Sequence, residues 1–589
     1  MRPTPPGQLL AGLLALITAL AGCHRAGTVP AKAPAPTPAW QLASVTSAIE
    51  EPGDDPARLV PADARVYLRL DGLGDLSKLA EEDPLAGQVQ ATLRHLQPPE
   101  LWKRAATNLQ MDDETLLRTY FGTTVAVVDQ KVDGRHAVVV LSRAPPEDLE
   151  RLPRALGMVP WPTTRRIGPF SIWSTPAEDH PLLLAVGKRW LAITERRQAP
   201  HLCHLLCGVA EDRNEATTPA ALAETTGFRD LVDALPGPRE ALLFTQDRRG
   251  RERHALGVVR DQDRIVAHYR AVVPKLAEVA ERFRWAPSLD FGPLPASVLS
   301  ATAVHVLDQE PEDLGLLDSL LFPSNVRRDL LPHLAPPLVL FLGAAPGAKS
   351  ATGASSQVPF LGAAIRVQNP AVTRQLDRLI QRVHFFANLG DLRLLQSIFG
   401  VRRYEHRGRP YAVADFGRAL EKRIRDDDLR KLIRTPTGSA LSRLTFGSAG
   451  DWYVVCTEQD GFKQWVNAHA AAGDGGRLAA ADFGLKPRSG LLVSSFTRVP
   501  ELSTLLQDVS KEWESPVAPG GRSAARAYGT TDTGPPDPGR QPLRWFAQAL
   551  RHRHSFSLQL WREGRTAIRG EVRVRITGHG SAAVSAPGP

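Results

Sequence analysis

Strand-like and helix-like segments follow one another in the same order twice between residues 58 and 580, and this recurrence limits the folds open to the chain. The first copy opens with LVPADARVYLRLDG (59–72) and the second with PLPASVLSATAVHVLDQ (293–309), each a Pro-Ala turn that leads into a β-rich strand. Residues 120–128 and 338–345 then form short apolar strands that carry a glycine. We therefore predict a tandem duplication.

Four further pairs of segments match in the same order. They are residues 136–143 with 358–367, 168–194 with 401–457, 222–245 with 478–496, and the predicted hairpins 254–273 with 555–576. Within them, the pair Gly187 and Trp190 stands at the same turn-to-strand point as the pair Gly450 and Trp452. In the last hairpin, apolar and basic residues alternate over residues 572–576, which predicts one buried face and one basic, wetted face.

The strands occur both in adjacent pairs and in pairs separated by helices, which is typical of an α+β protein. We expect two tandem copies of a mainly antiparallel sheet with helices packed on one face. The predicted boundaries are a signal peptide at 1–22, a Pro/Ala-rich tether at 23–57, a first repeat at 58–285, a second repeat at 286–580 with a disordered insertion at 514–542, and a tail at 581–589.

An uncharged apolar run, Leu9–Gly22, lies between Arg2 and Cys23. It has the length of a signal-peptide core and is too short to span a bilayer. It ends in Leu-Ala-Gly-Cys (20–23), which resembles the lipobox of bacterial lipoproteins. In that family the cysteine thiol receives a diacylglycerol, signal peptidase II cuts before it, and the new amine is usually acylated. The resemblance implies lipidation of Cys23, and an ordinary cleaved signal peptide that happens to contain a cysteine is the alternative.

Two or three acyl chains form a stable anchor, at about 0.8 kcal/mol for each buried CH₂. No later run reaches the length of a membrane span, so we expect everything after Cys23 to lie outside the lipid. His24 follows the cysteine, and the sorting rule that the lipoprotein resemblance implies sends a chain without Asp there to the outer membrane. The expected location is the cell envelope, with the body facing the periplasm or the cell surface.

The body also resembles an uncharacterised family of secreted or lipid-anchored bacterial proteins, grouped under a domain of unknown function. Its members open with an "lPad" strand and carry "yfG.evav", "L....f..l...l" and "G.y.vi" patterns. The matching residues here are 59–67, 120–127, 222–235 and 187–194. This resemblance implies no catalytic residues, because the family offers none to carry over.

Charge and composition narrow the choice of partners. Lys and Arg exceed Asp and Glu by nine, without a dense basic cluster, which favours contact with an anionic glycan or lipid over nucleic acid. Aromatic residues make up only 6% of the chain, which argues against a platform for stacking sugars or bases. The expected partners are the membrane, through the N-terminal lipid, and an envelope protein or an anionic glycan or lipid.

A metal site is conceivable in HLCHLLC, where His201, Cys203, His204 and Cys207 lie within seven residues. The segment lacks CxxC spacing, and its leucines favour a buried helix in which cysteine acts as a small hydrophobe. We therefore predict no metal and no cofactor. GAAPGAKS (343–350) resembles a P-loop but has Ala348 in place of the second glycine, and we predict a connection between strands there.

No GxSxG or HExxH motif is present, so we predict no enzyme. The favoured hypothesis is a non-enzymatic, lipid-anchored envelope protein that acts as a binding or scaffold protein. Two alternatives stay open. One is a carrier of a lipid or another apolar ligand in a concave sheet. The other is a hydrolase of envelope polymers, with a triad assembled from distant residues.

Overall fold

The computed structural model describes only part of the chain. The described residues are 55–71, 99–132, 135–161, 166–167, 170–176, 182–196, 202, 221–261, 264–311, 318, 325–349, 355–388, 401–417, 436–471, 480–514 and 553–576. The predicted signal peptide, lipidation site, most of the tether, the insertion after residue 514 and the tail lie outside them. The chain divides into two compact units: unit 1 comprises Met1–Ala234 and Pro238–Gly257, and unit 2 comprises Leu235–Gly237 and Val258–Pro589.

Unit 1 contains an antiparallel sheet and short helices. The helices are α1 (Pro99–Leu109), α2 (Asp113–Phe121), α3 (Pro146–Ala155) and α4 (Thr226–Val232). The strands are β1 (Val66–Asp71), β2 (Thr124–Val132), β3 (Arg135–Arg143), β4 (Val159–Pro160), β5 (Arg166–Ile167), β6 (Phe170–Ser174), β7 (Leu182–Val186), β8 (Trp190–Glu195), β9 (Ala241–Gln246) and the beginning of β10 (Arg253–Asp261). Their order is β6-β7-β8-β3-β2-β1-β9-β10, and β4 and β5 both pair with β6.

The core cluster around α1, α2 and α3 of unit 1 is mainly aliphatic, while Tyr67, Phe170, Trp190 and Phe244 are buried outside this cluster. Leu116 of α2 and Leu149 and Leu152 of α3 pack with Leu184 and Leu191 of β7 and β8. Burial of such side chains stabilises the fold by about 1.5–3 kcal/mol each, and an amphipathic helix gains it by turning one face to the sheet. Helix α2 starts at a matching cap, because the Asp112 carboxylate accepts a hydrogen bond from the Thr115 amide at 2.6 Å.

Unit 2 contains a longer antiparallel sheet. The helices are α5 (Lys275–Val279), α6 (Pro370–Asn388), α7 (Pro436–Leu441), α8 (Gln459–Ala470) and α9 (Val499–Glu514). The strands are β11 (Arg264–Val272), β12 (Phe283–Trp285), β13 (Val298–Val304), β14 (Val306–Asp308), β15 (Leu334–Lys349), β16 (Ser355–Val367), β17 (Val401–His406), β18 (Arg409–Asp415), β19 (Arg443–Ala449), β20 (Trp452–Cys456), β21 (Leu491–Arg498), β22 (Arg553–Glu563) and β23 (Ala567–Ile576). Their order is β17-β18-β19-β20-β16-β15-β13-β21-β22-β23-β11, while β12 and β14 form a separate pair.

Aromatic rings fill the core on one side of this sheet. Phe341 of β15 stacks on Trp465 of α8 with ring centroids 4.9 Å apart, and Trp452 meets Trp465 edge-on at 5.9 Å. Alternate residues of β16 face opposite sides, so Phe360 joins this aromatic cluster while Ile365 packs under α6. Helices α8 and α6 therefore cover opposite faces of the sheet.

The predicted α+β class is confirmed. The finer expectation needs two corrections. Most strands belong to one large antiparallel sheet instead of two separate ones, and in unit 2 the helices pack on both faces, because Phe360 packs with α8 and Ile365 packs with α6. The P-loop-like segment is also not a connection, since β15 continues to Lys349 and pairs there with Ser355. Within the described ranges, no helix is long and apolar enough to cross a membrane.

Candidate functional site: an arginine face on β11 and β23

Arginines gather on one side of two neighbouring strands of unit 2. Strand β11 pairs with β23 so that Arg264 lies opposite Arg575, and Arg270 lies opposite Arg569. Directly paired residues point to the same side of a sheet, and residues two apart along a strand share that side. We call this surface the arginine face; it consists of Arg264, Val266, His268, Arg270, Arg569, Glu571, Arg573 and Arg575.

The chain builds this face by simple alternation. Ile265, Ala267 and Tyr269 of β11 point to the other side, together with Val572 and Val574 of β23. The predicted alternation of apolar and basic residues is present in this hairpin, but the apolar side is not buried as predicted, because Val572 and Val574 are only half-buried.

On the apolar side of the same strand pair, neighbouring side chains pack closely over a glycine. Tyr269 lies opposite Gly570, where an added Cβ would stand only 3.2 Å from the Cβ of Tyr269 and 2.4 Å from a methyl carbon of Leu560. A methyl group of Leu560, together with the Tyr269 side chain, therefore occupies the space that a side chain at residue 570 would need. Burial raises the pKa of the Tyr269 phenol, so the apolar side keeps this group neutral.

Two glutamates hold part of the arginine face in place. Glu563 lies 2.6 Å from Arg569 Nε and 3.5 Å from Arg270 Nη2, and so bridges one of the opposed arginine pairs. Glu571 contacts Arg573 and, at 3.1 Å, Arg488 from the segment before β21.

The second opposed pair, Arg264 and Arg575, is the outermost and is exposed to solvent. Beside the face, the guanidinium of Arg488 stacks 3.9 Å above the centre of the Trp561 ring and makes a cation–π contact. Counting Arg488, six arginines meet two glutamates among the described residues of this surface, which is an excess of positive charge within that set.

His268 lies at the centre of the arginine face, opposite Glu571. Burial lowers the pKa of His268; Glu571 opposes that shift and Arg573 adds to it. The imidazole therefore takes up a proton less readily than an ordinary histidine does.

A second unusual surface lies elsewhere in unit 2 and is apolar. Leu340 of β15 and Leu361 of β16 are 47% and 49% exposed. They lie on the side of the sheet opposite to Phe341 and Phe360, because side chains alternate along each strand. Two neighbouring exposed leucines are compatible with an apolar ligand or partner.

The site residues predicted from sequence cannot be placed. Cys23, Cys203, His204 and Cys207 lie outside the described residues, and of that segment only Leu202 is described, as a buried side chain. Among described residues, no group of three or more His, Cys, Asp or Glu side chains is arranged to hold a metal ion. The arginine face was missed because its two strands are some 300 residues apart in the sequence.

Comparison with known proteins adds no further assignment. No protein-family model, no curated protein and no solved structure matches this chain.

Proposed function

We propose that the chain is a non-enzymatic, lipid-anchored protein of the cell envelope whose body binds an anionic glycan or lipid. The arginine face is the observation that carries this proposal. Glu563 already bridges Arg270 and Arg569, so the support for a ligand is the excess of six described arginines over two described glutamates on this surface. Guanidinium groups also match a phosphate or carboxylate with paired hydrogen bonds.

The proposed lipid anchor is supported by the sequence around Cys23. A thioether-linked lipid at Cys23 would hold the body close to a surface rich in anionic groups, where local concentration favours even weak contacts. Metabolic labelling with palmitate tests it directly. We expect label and membrane fractionation with the native chain, and loss of both with Cys23→Ser; a labelled Cys23→Ser chain would contradict the anchor.

Binding by the arginine face is tested with two kinds of probe. The chain from His24 to Pro589 is mixed with phosphatidylglycerol vesicles, phosphatidylcholine vesicles or dextran sulfate, and bound protein is measured by co-sedimentation or gel shift. We expect binding to at least one anionic probe and none to phosphatidylcholine. Whether the vesicle or the polysaccharide binds separates a lipid from a glycan partner.

A pair of double variants makes the test specific to the face. Arg264→Ala with Arg575→Ala removes two positive charges from the arginine face, and Arg402→Ala with Arg403→Ala removes two from β17. All four side chains are exposed, so we expect both variants to fold. The first variant should lose most of the binding and the second should keep it. Equal losses would show that net charge, and not the arginine face, determines binding.

We further propose that the body arose by tandem duplication. The strand orders support it: β6-β7-β8-β3-β2-β1-β9-β10 in unit 1 corresponds place by place to β18-β19-β20-β16-β15-β13-β21-β22 in unit 2. All six matched sequence segments fall on corresponding strands. An alignment of the sequence with itself, built from many homologues, tests the idea. We expect significant similarity between the first copy and the second; similarity found only within one copy would contradict a duplication.

Carriage of an apolar ligand is the second candidate, and the exposed Leu340 and Leu361 favour it. Native mass spectrometry of the gently purified chain distinguishes it from the first. A stoichiometric lipid that is lost in Leu340→Ser with Leu361→Ser would support a carrier. A chain of the bare calculated mass would count against it.

A further inference from the structure

A cleft of about 530 Å³ opens in unit 1, beside strands β1 and β9 and helix α4. Its base is apolar: Phe228 and Val232 of α4 and Leu242 of β9 are buried there. Phe228 is fixed by edge-on contacts with Tyr67 and Phe244, at centroid distances of 5.9 and 5.1 Å. The cleft therefore has a rigid base on which Phe228, Val232 and Leu242 expose a small apolar area that only a short alkyl chain matches.

Four arginines line the same cleft: Arg58, Arg69, Arg229 and Arg239. Arg69 lies on the side of β1 that also carries Tyr67, and the Asp71 carboxylate holds its Nε at 2.8 Å. Arg239 donates from Nη2 to the Val232 carbonyl at 2.6 Å. Arg69 and Arg239 both line the cleft. Burial lowers the pKa of Arg239; Asp233 opposes that shift and the positive charge of Arg69 adds to it.

The other two arginines keep donors for a ligand. Arg229 uses its Nε on the Ala223 carbonyl at 2.8 Å, and its two Nη groups have no partner in the described part of the chain. The Arg58 guanidinium makes no hydrogen bond or ion pair with any described residue; its backbone amide alone is bonded, to Asp55. Guanidinium donors beside an apolar base form an amphipathic site, with one part suited to an anion and one part suited to an apolar group.

The acidic groups of the cleft are largely occupied. Asp55 accepts a hydrogen bond from the Ala57 amide at 3.0 Å and lies 3.8 Å from Arg69 Nη1. Glu224 accepts one from the Ala221 amide at 3.3 Å. Asp233 is the third carboxylate, so cations outnumber anions by four to three. With two of its three carboxylates committed to backbone amides, the cleft favours an anion over a cation.

We propose that this cleft binds a small amphiphile, whose phosphate or carboxylate headgroup contacts Arg58 and Arg229 and whose short alkyl chain lies on Phe228, Val232 and Leu242. A phosphate and a carboxylate are both matched by paired guanidinium donors. The site is independent of the arginine face of unit 2, and it takes a single small molecule where that face takes an extended anionic surface.

Calorimetric titration of the chain from His24 to Pro589 tests the proposal. The probes are hexyl phosphate, hexanoate, inorganic phosphate and hexanol. We expect hexyl phosphate or hexanoate to bind with one-to-one stoichiometry and at least tenfold more tightly than inorganic phosphate, and hexanol not to bind; which of the first two binds identifies the headgroup. No saturable binding by either amphiphile would overturn the proposal, as would equal affinity for inorganic phosphate.

Variants locate the binding in the cleft. Arg58→Ala and Arg229→Ala together should weaken binding at least tenfold, because both headgroup contacts are lost. Arg151→Ala is the matched control, an exposed arginine on α3 outside the cleft, and should leave the affinity unchanged. An unchanged affinity in the double variant, or an equal loss in the control, would contradict the assignment. Binding to phosphatidylglycerol vesicles should be the same for the native chain, the double variant and the Arg151→Ala control. A failure of this proposal is therefore distinguishable from a failure of the arginine face to bind.

Discussion

The two units share a strand order, and the core clusters beneath α2 and α3 in unit 1 and beneath α8 in unit 2 differ in composition. Unit 1 packs leucines of α2 and α3 against β7 and β8. Unit 2 places the rings of Phe341, Phe360, Trp452 and Trp465 between β15, β16 and α8. Antiparallel pairing depends on the backbone, and side-chain alternation depends on which positions are apolar and which are polar. Both therefore tolerate either aliphatic or aromatic side chains in the core. The comparison shows why the two halves can keep one topology with low residue identity.

The units also differ at one hairpin. In unit 1 a tight turn joins β9 to β10, where Asp247 accepts hydrogen bonds from the Arg251 and Glu252 amides at 2.6 and 3.0 Å. In unit 2 the corresponding strands, β21 and β22, are separated by α9 and a further segment. Helix α9 contacts β13, β16, β21 and β22, so the longer connection adds its own packing. Turns between neighbouring strands accept insertions because loop closure costs little for each added residue.

The largest predicted effect tests the aromatic core. Trp465→Ala should lower the free energy of unfolding of unit 2 by about 3–5 kcal/mol, because it empties a fully buried site between two other rings. Trp465→Phe keeps a ring on Phe341 and should cost much less. Hydrogen exchange during urea titration reports each unit separately. Equal loss of protection in α2 and α3 would contradict independent cores.

A buried histidine distinguishes unit 2 by its response to acid. His305 is fully buried, and neither ring nitrogen has a partner among the described residues. Burial lowers its pKa to about 4, and nearby Asp290 offsets this only in part. The unfolded chain, with a pKa near 6.5, binds this proton more readily. Stability therefore falls as the pH drops from about 6.5 to 4, by about 3 kcal/mol in total.

Urea unfolding at neutral and acidic pH measures this loss. His305→Leu removes the proton-binding site and should flatten the pH dependence of unit 2 across that window. A variant that keeps the full acid sensitivity would show that other groups cause it.

The turn glycines test how similar the two halves are in detail. Gly450 has a φ of +67°, and a Cβ there would stand 2.0 Å from His469 Nε2. Gly187, its counterpart, is not among the glycines with positive φ in the described ranges. Gly450→Ala should therefore cost about 1–3 kcal/mol and Gly187→Ala less than about 1 kcal/mol. Thermal unfolding of both variants measures this, and equal costs would contradict the difference in backbone.

The smallest effect concerns the opposed arginines of β11 and β23. Arg575→Glu places an opposite charge across from Arg264 and should stabilise unit 2 by about 0.5 kcal/mol at low ionic strength. Salt screens exposed charges, so the gain should vanish at high ionic strength. Melting temperatures at both salt concentrations test this. A destabilised variant would show that Arg575 has a structural role instead.

Local pattern predicted much of the fold and little of the site. Alternation along residues 572–576 and the Gly-Trp turns at residues 187 and 450 were visible in sequence, since each depends on neighbouring residues. The opposition of Arg264 and Arg575 depends on which strands pair, and the cleft around Arg58 and Arg239 joins segments far apart in the chain. Helices on both faces of the unit 2 sheet were missed because β16 reads as one continuous apolar run.

The proposed function depends most on whether the arginine face binds an anionic surface by charge. The most direct measurement is the salt dependence of binding to phosphatidylglycerol vesicles by the native chain and by the variant carrying Arg264→Ala and Arg575→Ala. We predict that native affinity falls steeply as salt rises, and that the variant binds more weakly with a shallower dependence. Native binding that does not change with salt, or a variant that follows the native curve, would contradict the proposed binding.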